Sequence, residues 1–363
     1  MEHALLIIGD SIWTNQVVMK SIRREYLTLF KEEGDTFFMD SSSSELPFFL
    51  EDLIGKYKNL TIVTLEKNSP TISKILSTLT EDTLVLKDQV LLPSKVVKNS
   101  SSSYLLKHKD SYINMLSVDF EKETPPILIP QEHERFIFNL VGIDRESAQI
   151  LLEPIAKTFE ISLLITPWVE GLIRIEAVAQ KYGHLEQFLK SAYSLFADKL
   201  FLSSSPQTHI IKQLAEKNLT LSAAESCTGG LVSSMLTRIP GASNVLLGSI
   251  VSYSNEVKKR WLGVGNDTLK NFGAVSSECV EEMLEGILKI SKSNLAIAVS
   301  GVAGPDGGTV SKPVGTVFIG VARDDGSKVV ERVLLMGSRE DIQNKSALHC
   351  FRLLLQTYPK LFF

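Results

Sequence analysis

The chain has 363 residues, 44% of them hydrophobic and 22% charged, with a formal net charge of −4. That apolar content excludes large-scale disorder, and the near balance of charge excludes the basic footprint of a nucleic-acid-binding protein. Three cysteines (Cys227, Cys279, Cys350) without CxxC spacing exclude a disulfide framework and a cysteine zinc cluster.

The first element is an apolar strand, Ala4–Ile8, too short for a signal peptide or a membrane span and with no basic flank. The expected setting is therefore the cytoplasm, with no membrane segment. Gly9-Asp10-Ser11 leads into a helix through about Phe30, and a second strand is predicted at Leu60–Leu65. This reads as α/β with a largely parallel sheet. Glu121 to Pro130, with three prolines, forbids a continuing helix and marks a boundary. The next stretch reads β-α-β-β-α: strands near Phe136–Leu140, Ile161–Thr166 and Gly171–Ala177, helices near Arg145–Thr158 and Leu185–Phe196. A small α+β domain follows from it. The polar Ser203–Thr208 is a second boundary, dividing the chain into 1–130, 131–205 and 206–363.

The last segment alternates helices and strands. A helix at His209–Lys217 precedes a strand at Thr220–Ala224, and a helix spans about Leu231–Arg238. A strand, Val245–Tyr253, meets a helix starting near Asn255, and Ser276 caps a helix to Ser291. After the apolar strand Leu295–Val299 come two strands, Gly315–Ala322 and Val329–Met336, around a hairpin signal, Asp324-Asp325-Gly326. Ser338-x-x-Asp341 opens the final helix as a capping box. The predicted fold class is α/β and multidomain: mostly parallel sheets sandwiched by helices, with a small α+β middle domain.

The chemistry concentrates between Glu225 and Lys258. Glu225-Ser226-Cys227-Thr228-Gly229-Gly230 spans a strand-to-helix turn. Its glycines let a ligand approach the backbone, and the helix start offers N–H groups to a phosphate or an oxyanion. The bland alternative is a tight turn with a capping serine. Ser243 follows Pro240-Gly241, Tyr253 ends a strand, and Lys258 lies on the first turn of the next helix. No histidine is near, so a Ser-His-Asp arrangement is not expected. A lysine whose pKa is lowered by burial serves as base instead, and such a pair suits amide cleavage. Spacing alone does not choose between Ser226 and Ser243 as nucleophile, and Lys258 read alone is a solvated helix lysine. The loop Ser300–Gly308 follows a fully apolar strand, where open α/β sheets place ligands. Asp306 there suits ribose hydroxyls, and Arg339 suits a phosphate.

Ala224–Gly230, Pro240–Ser243, Val251–Glu256, Gly273–Ser276, Ser300–Gly308 and Lys312–Thr316 occur in this order. Together they resemble the C-terminal domain of the CinA (competence/damage-inducible) family, the nicotinamide-nucleotide amidases. The resemblance implies hydrolysis of nicotinamide mononucleotide to nicotinate mononucleotide and ammonia, with no metal and no cofactor. It implies Ser243 as nucleophile, Lys258 as base, and Ser226 and Tyr253 as assistants. Thr228, Gly229, Gly230, Ser300, Gly301, Asp306 and Arg339 would contact the pyridine mononucleotide. It also implies a homo-oligomer, a dimer or larger.

Long CinA proteins carry a molybdopterin-binding-like N-terminal domain, and residues 1–130 occupy its place in degenerate form. Ser11 replaces the expected acidic residue, and Val63–Ser69 replaces a glycine-rich loop. Residues 131–205 fit a KH-like domain without its Gly-x-x-Gly loop, so direct nucleic-acid binding is not expected. Two alternatives stand beside the amidase: a non-catalytic nucleotide-binding protein, and an ADP-ribose pyrophosphatase acting through the N-terminal domain.

Overall fold

A computed structural model describes residues 2–30, 32, 34–87, 90–129 and 134–363. The chain divides into two compact units, Met1–Glu132 and His133–Phe363. The proline-bearing stretch ends beside that division, and its last residue, Pro130, lies outside the described residues.

The first unit runs β1 (His3–Ile8), α1 (Asp10–Trp13), α2 (Gln16–Phe30), β2 (Asp35–Met39), α3 (Leu46–Lys56), β3 (Asn59–Leu65) and α4 (Ser69–Leu79). Five strands follow: β4 (Leu84–Lys87), β5 (Val90–Pro93), β6 (Val96–Ser100), β7 (Ser103–His108) and β8 (Ser111–Val118). The main sheet has the order β2-β1-β3-β8-β7-β6. Its first four strands are parallel and its last two antiparallel. Strand β1 is buried from Ala4 to Ile8, which explains its continuous apolar run. The helix expected from Gly9 to Phe30 is broken in two. Asn15 Oδ1 accepts from the Val17 and Val18 amides at 3.1 and 3.2 Å, so its side chain starts a second helix.

The second unit begins with β9 (Arg135–Val141), α5 (Arg145–Thr158), β10 (Ile161–Val169), β11 (Leu172–Ala179), α6 (Leu185–Phe196) and β12 (Leu200–Phe201). These strands form an antiparallel sheet, β10-β11-β9-β12, with Phe138, Leu152 and Phe188 in its core. The chain continues through α7 (Pro206–Glu216), β13 (Leu221–Glu225), α8 (Leu231–Thr237), β14 (Leu246–Val251), α9 (Asn255–Leu262) and α10 (Asn266–Asn271). It ends with α11 (Ser277–Ser291), β15 (Leu295–Gly301), β16 (Thr316–Arg323), β17 (Lys328–Leu334), α12 (Arg339–Thr357) and α13 (Pro359–Phe362). The sheet order is β14-β13-β15-β16-β17: three parallel strands, then two antiparallel.

Helices cover both faces of this sheet. On one, α11 sets Val280, Met283 and Leu284 against Ala224, Ala296 and Ala298. The small strand residues allow close approach: a Cβ on Gly320 would lie 2.8 Å from side-chain atoms of Val280 and Leu284. On the other face Ile210, Leu214, Leu236, Phe351 and Leu354 pack together with Val141, Val169, Leu172 and Phe201. The antiparallel sheet thus shares a core with the segment after it, and Ser203–Thr208 joins two sheets within one compact unit. The fold is α/β, with parallel strands central to two sheets and helices flanking them.

His209 on α7 is part of that shared core. It is buried, stacks on Phe201 with ring centroids 4.6 Å apart, and its Nε2 lies 2.9 Å from the Phe362 carbonyl oxygen. Burial pushes its pKa down from 6.5 to about 4. Above pH 6.5 the ring is neutral folded or unfolded. As pH falls from 6.5 to about 4, only the unfolded chain takes up the proton, so stability is lost. A drop of roughly 2.5 units at about 1.36 kcal/mol each gives a loss of about 3 kcal/mol. Urea midpoints at pH 7 and pH 4.5 check this: the fall is expected to be smaller in His209→Gln, and an equal fall in both proteins refutes it.

Candidate active site

The site lies at the carboxyl ends of the parallel strands β13 and β15, where an open α/β sheet leaves a crevice. Strand β13 ends at Glu225, and Ser226 begins the turn into α8. Two backbone bonds clamp this point: Ser226 N–H donates to the Val299 carbonyl at 3.0 Å, and Ser252 N–H to the Glu225 carbonyl at 2.7 Å. Gly229 and Gly230 make the turn at φ +61° and +99°, where side chains are disfavoured.

Lys258 reaches this turn from α9. Ser254 caps α9, accepting from the Val257 amide at 3.2 Å, so Lys258 falls on the first turn and on its inner face. Although the helix is otherwise polar, Lys258 is 1% exposed. Its Nζ is 2.8 Å from Ser226 Oγ and donates to the Ser252 carbonyl at 2.6 Å. Among the described residues no carboxylate pairs with it. Its charged neighbours by type are the thiols Cys227 and Cys279, whose pKa values burial pushes up to about 12 and about 11, so both are neutral. Burial without a compensating anion lowers the Lys258 pKa below the ordinary lysine value. The pair is thus a serine hydroxyl against an amine biased toward its neutral, basic form.

Around the pair is a cavity of about 280 Å³. Its lining includes Ser226, Tyr253, Lys258, Ser300, Asp306 and Arg339. Ser300 is buried, and its hydroxyl donates to the Ala274 carbonyl at 2.7 Å. Tyr253 is exposed at the rim. Its hydroxyl accepts from Arg339 at 2.8 Å, while the same guanidinium donates to the Gly304 carbonyl at 2.7 Å. Gly301 lines the floor, and a Cβ there would lie 2.8 Å from the Thr316 carbonyl oxygen.

Two expectations need correction. Ser243 is not brought to Lys258. It is exposed on a single turn of 3-10 helix, Ala242–Asn244, and is not part of the cavity lining. The start of α8 is not open to a ligand anion either. The fully buried Glu225 carboxylate occupies it, accepting from the amides of Gly230, Val232 and Ser233 at 3.0, 3.0 and 2.9 Å. The hydroxyls of Thr228, Ser233 and Ser249 also donate to it, at 2.8, 2.8 and 3.1 Å. Helix-start N–H groups attract an anion, and the chain supplies its own. Thr228, Gly229 and Gly230 therefore shape the turn and do not line the cavity. Glu225 and Gln343, whose side-chain amide donates to the Cys227 carbonyl at 2.8 Å, were not singled out by sequence reading. A glutamate one turn ahead of a helix was the available signal for the first.

No group of three or more His, Cys, Asp or Glu side chains among the described residues could hold a metal ion. No helix among them is long and apolar enough to cross a membrane.

The architecture and the site define an α/β protein with a buried serine–lysine pair in the crevice of its β14-β13-β15-β16-β17 sheet. The family model of the CinA C-terminal domain matches residues 203–358. A CinA-like protein of Petrotoga mobilis is 34% identical over 289 residues, 77% of this chain and 70% of that one. The chain belongs to the CinA family. A CinA-like protein of Thermotoga neapolitana is 41% identical over 183 residues, 50% of this chain but only 44% of that protein, so the chain matches less than half of that relative's length. The solved competence/damage inducible protein CihA from Agrobacterium tumefaciens is 34% identical, covering 43% of this chain and 98% of its own, with a TM-score of 0.40.

Proposed function

We propose that residues 206–363 form an amidohydrolase that converts nicotinamide mononucleotide to nicotinate mononucleotide and ammonia, with Ser226 as nucleophile and Lys258 as base. The observation that carries this reading is the 2.8 Å contact between Ser226 Oγ and an amine with no anionic partner among the described residues. Ser226 Oγ attacks the carboxamide carbon and its proton passes to Lys258 Nζ. The new C–O bond forms as the carbonyl electron pair moves onto oxygen. Collapse breaks the C–N bond, Lys258 returns the proton to the departing amine, and ammonia leaves an acyl ester on Ser226. Water then attacks the ester. Lys258 takes its proton and restores it to Ser226 as the acid departs. Arg339 at the rim suits the substrate phosphate, and the exposed Asp306 suits its ribose.

The test is ammonia release from nicotinamide mononucleotide in the presence of EDTA, for wild type and Lys258→Ala. Turnover that resists EDTA and disappears in the variant supports the proposal. Tight binding without turnover points instead to a non-catalytic nucleotide-binding protein. Metal-dependent ADP-ribose cleavage that survives Lys258→Ala points to the N-terminal unit. The dimer expected from the family resemblance is checked by light scattering.

A further inference from the structure

Arg339 carries a charge without a counterion. Its guanidinium bonds to two neutral acceptors: Nη1 donates to the Gly304 carbonyl at 2.7 Å and Nη2 to the Tyr253 hydroxyl at 2.8 Å. Among the described residues no carboxylate lies within ion-pair reach of it. Arg352, on the same helix, is by contrast paired with Glu331. A guanidinium has five N–H donors in one plane, so an anchor on each terminal nitrogen fixes the plane and leaves the other donors free. Both anchors are themselves held. Tyr253 stands between Ser252, whose N–H donates to the Glu225 carbonyl at 2.7 Å, and Ser254, the cap of α9. Gly304 takes φ +78°, and a Cβ there would lie 2.6 Å from Val314 Cγ1. Tyr253, Gly304 and Arg339 all line the cavity that contains Ser226 and Lys258. The Tyr253 hydroxyl bonds to neither member of that pair; Lys258 Nζ is engaged by Ser226 Oγ and the Ser252 carbonyl.

We propose that Tyr253 is a positioning residue: with the Gly304 carbonyl it holds Arg339 as a fixed clamp for the substrate phosphate, and so sets the preference of the site for a nucleotide over a nucleoside. The inference rests on the reading of this cavity as the nicotinamide mononucleotide site. A fixed guanidinium with free donors and no counterion suits a dianion, which it meets with parallel hydrogen bonds. Without the phenol oxygen, Nη2 loses its anchor, and the long side chain regains rotamer freedom that binding must then remove. That cost falls on the bound phosphate in the ground state and the transition state alike, so it appears in KM more than in kcat. The phenol takes no part in the proton transfers between Ser226 and Lys258.

The test is steady-state ammonia release from nicotinamide mononucleotide and from nicotinamide riboside, the same molecule without its phosphate. Wild type, Tyr253→Phe, Arg339→Met and the double variant are compared. Wild type is expected to favour the mononucleotide. Tyr253→Phe is expected to reduce that preference, the ratio of the two kcat/KM values, about tenfold through a higher KM for the mononucleotide, and Arg339→Met about 10²-fold. The double variant is expected to match Arg339→Met, because the phenol acts only through the guanidinium. The pH midpoint of kcat, set by Lys258, is expected to stay at the wild-type value in each. Tyr253 is exposed, so loss of its hydroxyl leaves the fold intact. An equal fall in kcat on both substrates in Tyr253→Phe, with the preference kept, places the phenol in the chemistry and overturns the clamp while the amidase stands. A wild type indifferent to the phosphate overturns it too. Turnover of neither substrate by wild type overturns the amidase reading, and the clamp with it.

Discussion

Ser226→Ala is expected to lower kcat for amide hydrolysis by about 10⁴-fold or more, while Ser243→Ala stays within about twofold of wild type. The two serines are separated by their surroundings. Ser226 is clamped between β14 and β15 through the bonds at Glu225 and Val299, and its hydroxyl faces Lys258 at 2.8 Å. Ser243 is on an exposed turn with no base beside it. An exposed serine with no partner has the reactivity of a solvent alcohol, and its removal changes stability little. Deleting Ser226 removes the attacking atom but leaves the cavity, so KM is expected to change far less than kcat. Steady-state ammonia release from the three proteins, with thermal melts to confirm folding, is the measurement. Loss of turnover in Ser243→Ala alongside an active Ser226→Ala would refute the assignment.

Much of the second unit was legible in the sequence because local signals and global packing agree there. Ser276 and the Ser338–Asp341 capping box mark helix starts with side chains that bond the first free amides. Asp324-Asp325-Gly326 makes its hairpin because Gly326 takes φ +89°. The run Leu295–Val299 of β15 is buried between two helical layers, so it reads as an unbroken apolar strand. Other features follow from contacts that no local pattern encodes. Glycines after a strand read as an anion cradle, but Glu225 fills the cradle from within the chain. Whether Ser226 or Ser243 faces Lys258 depends on how β13, β14 and α9 are placed, and both serines have the same local signature. Lys258 next to Lys259 and Arg260 reads as a solvated face. Only the turn of α9 shows that Lys258 is buried while Arg260 is exposed at 75%. The short helix α10, six residues between Val264 and Phe272, has too few turns to show a period.

The burial of Lys258 sets the pH dependence. An amine acts as base only when neutral, and burial without an anion lowers its pKa from the ordinary value near 10.4. The sign follows directly: activity rises with pH through the Lys258 pKa in the folded enzyme. The midpoint of kcat/KM against pH is therefore expected below that of an exposed lysine, with a slope of one proton. Lys258→Ala is expected to lower kcat/KM by about 10³-fold or more and to leave a space beside Ser226. A small primary amine added to the buffer should fill that space and recover part of the rate. The rescued activity should titrate with the pKa of the free amine, close to that of an ordinary lysine, and not with the lowered value of the buried side chain. A pH profile of the rescued variant that coincides with wild type would mean that another group provides the base, and the Ser226–Lys258 mechanism would fall.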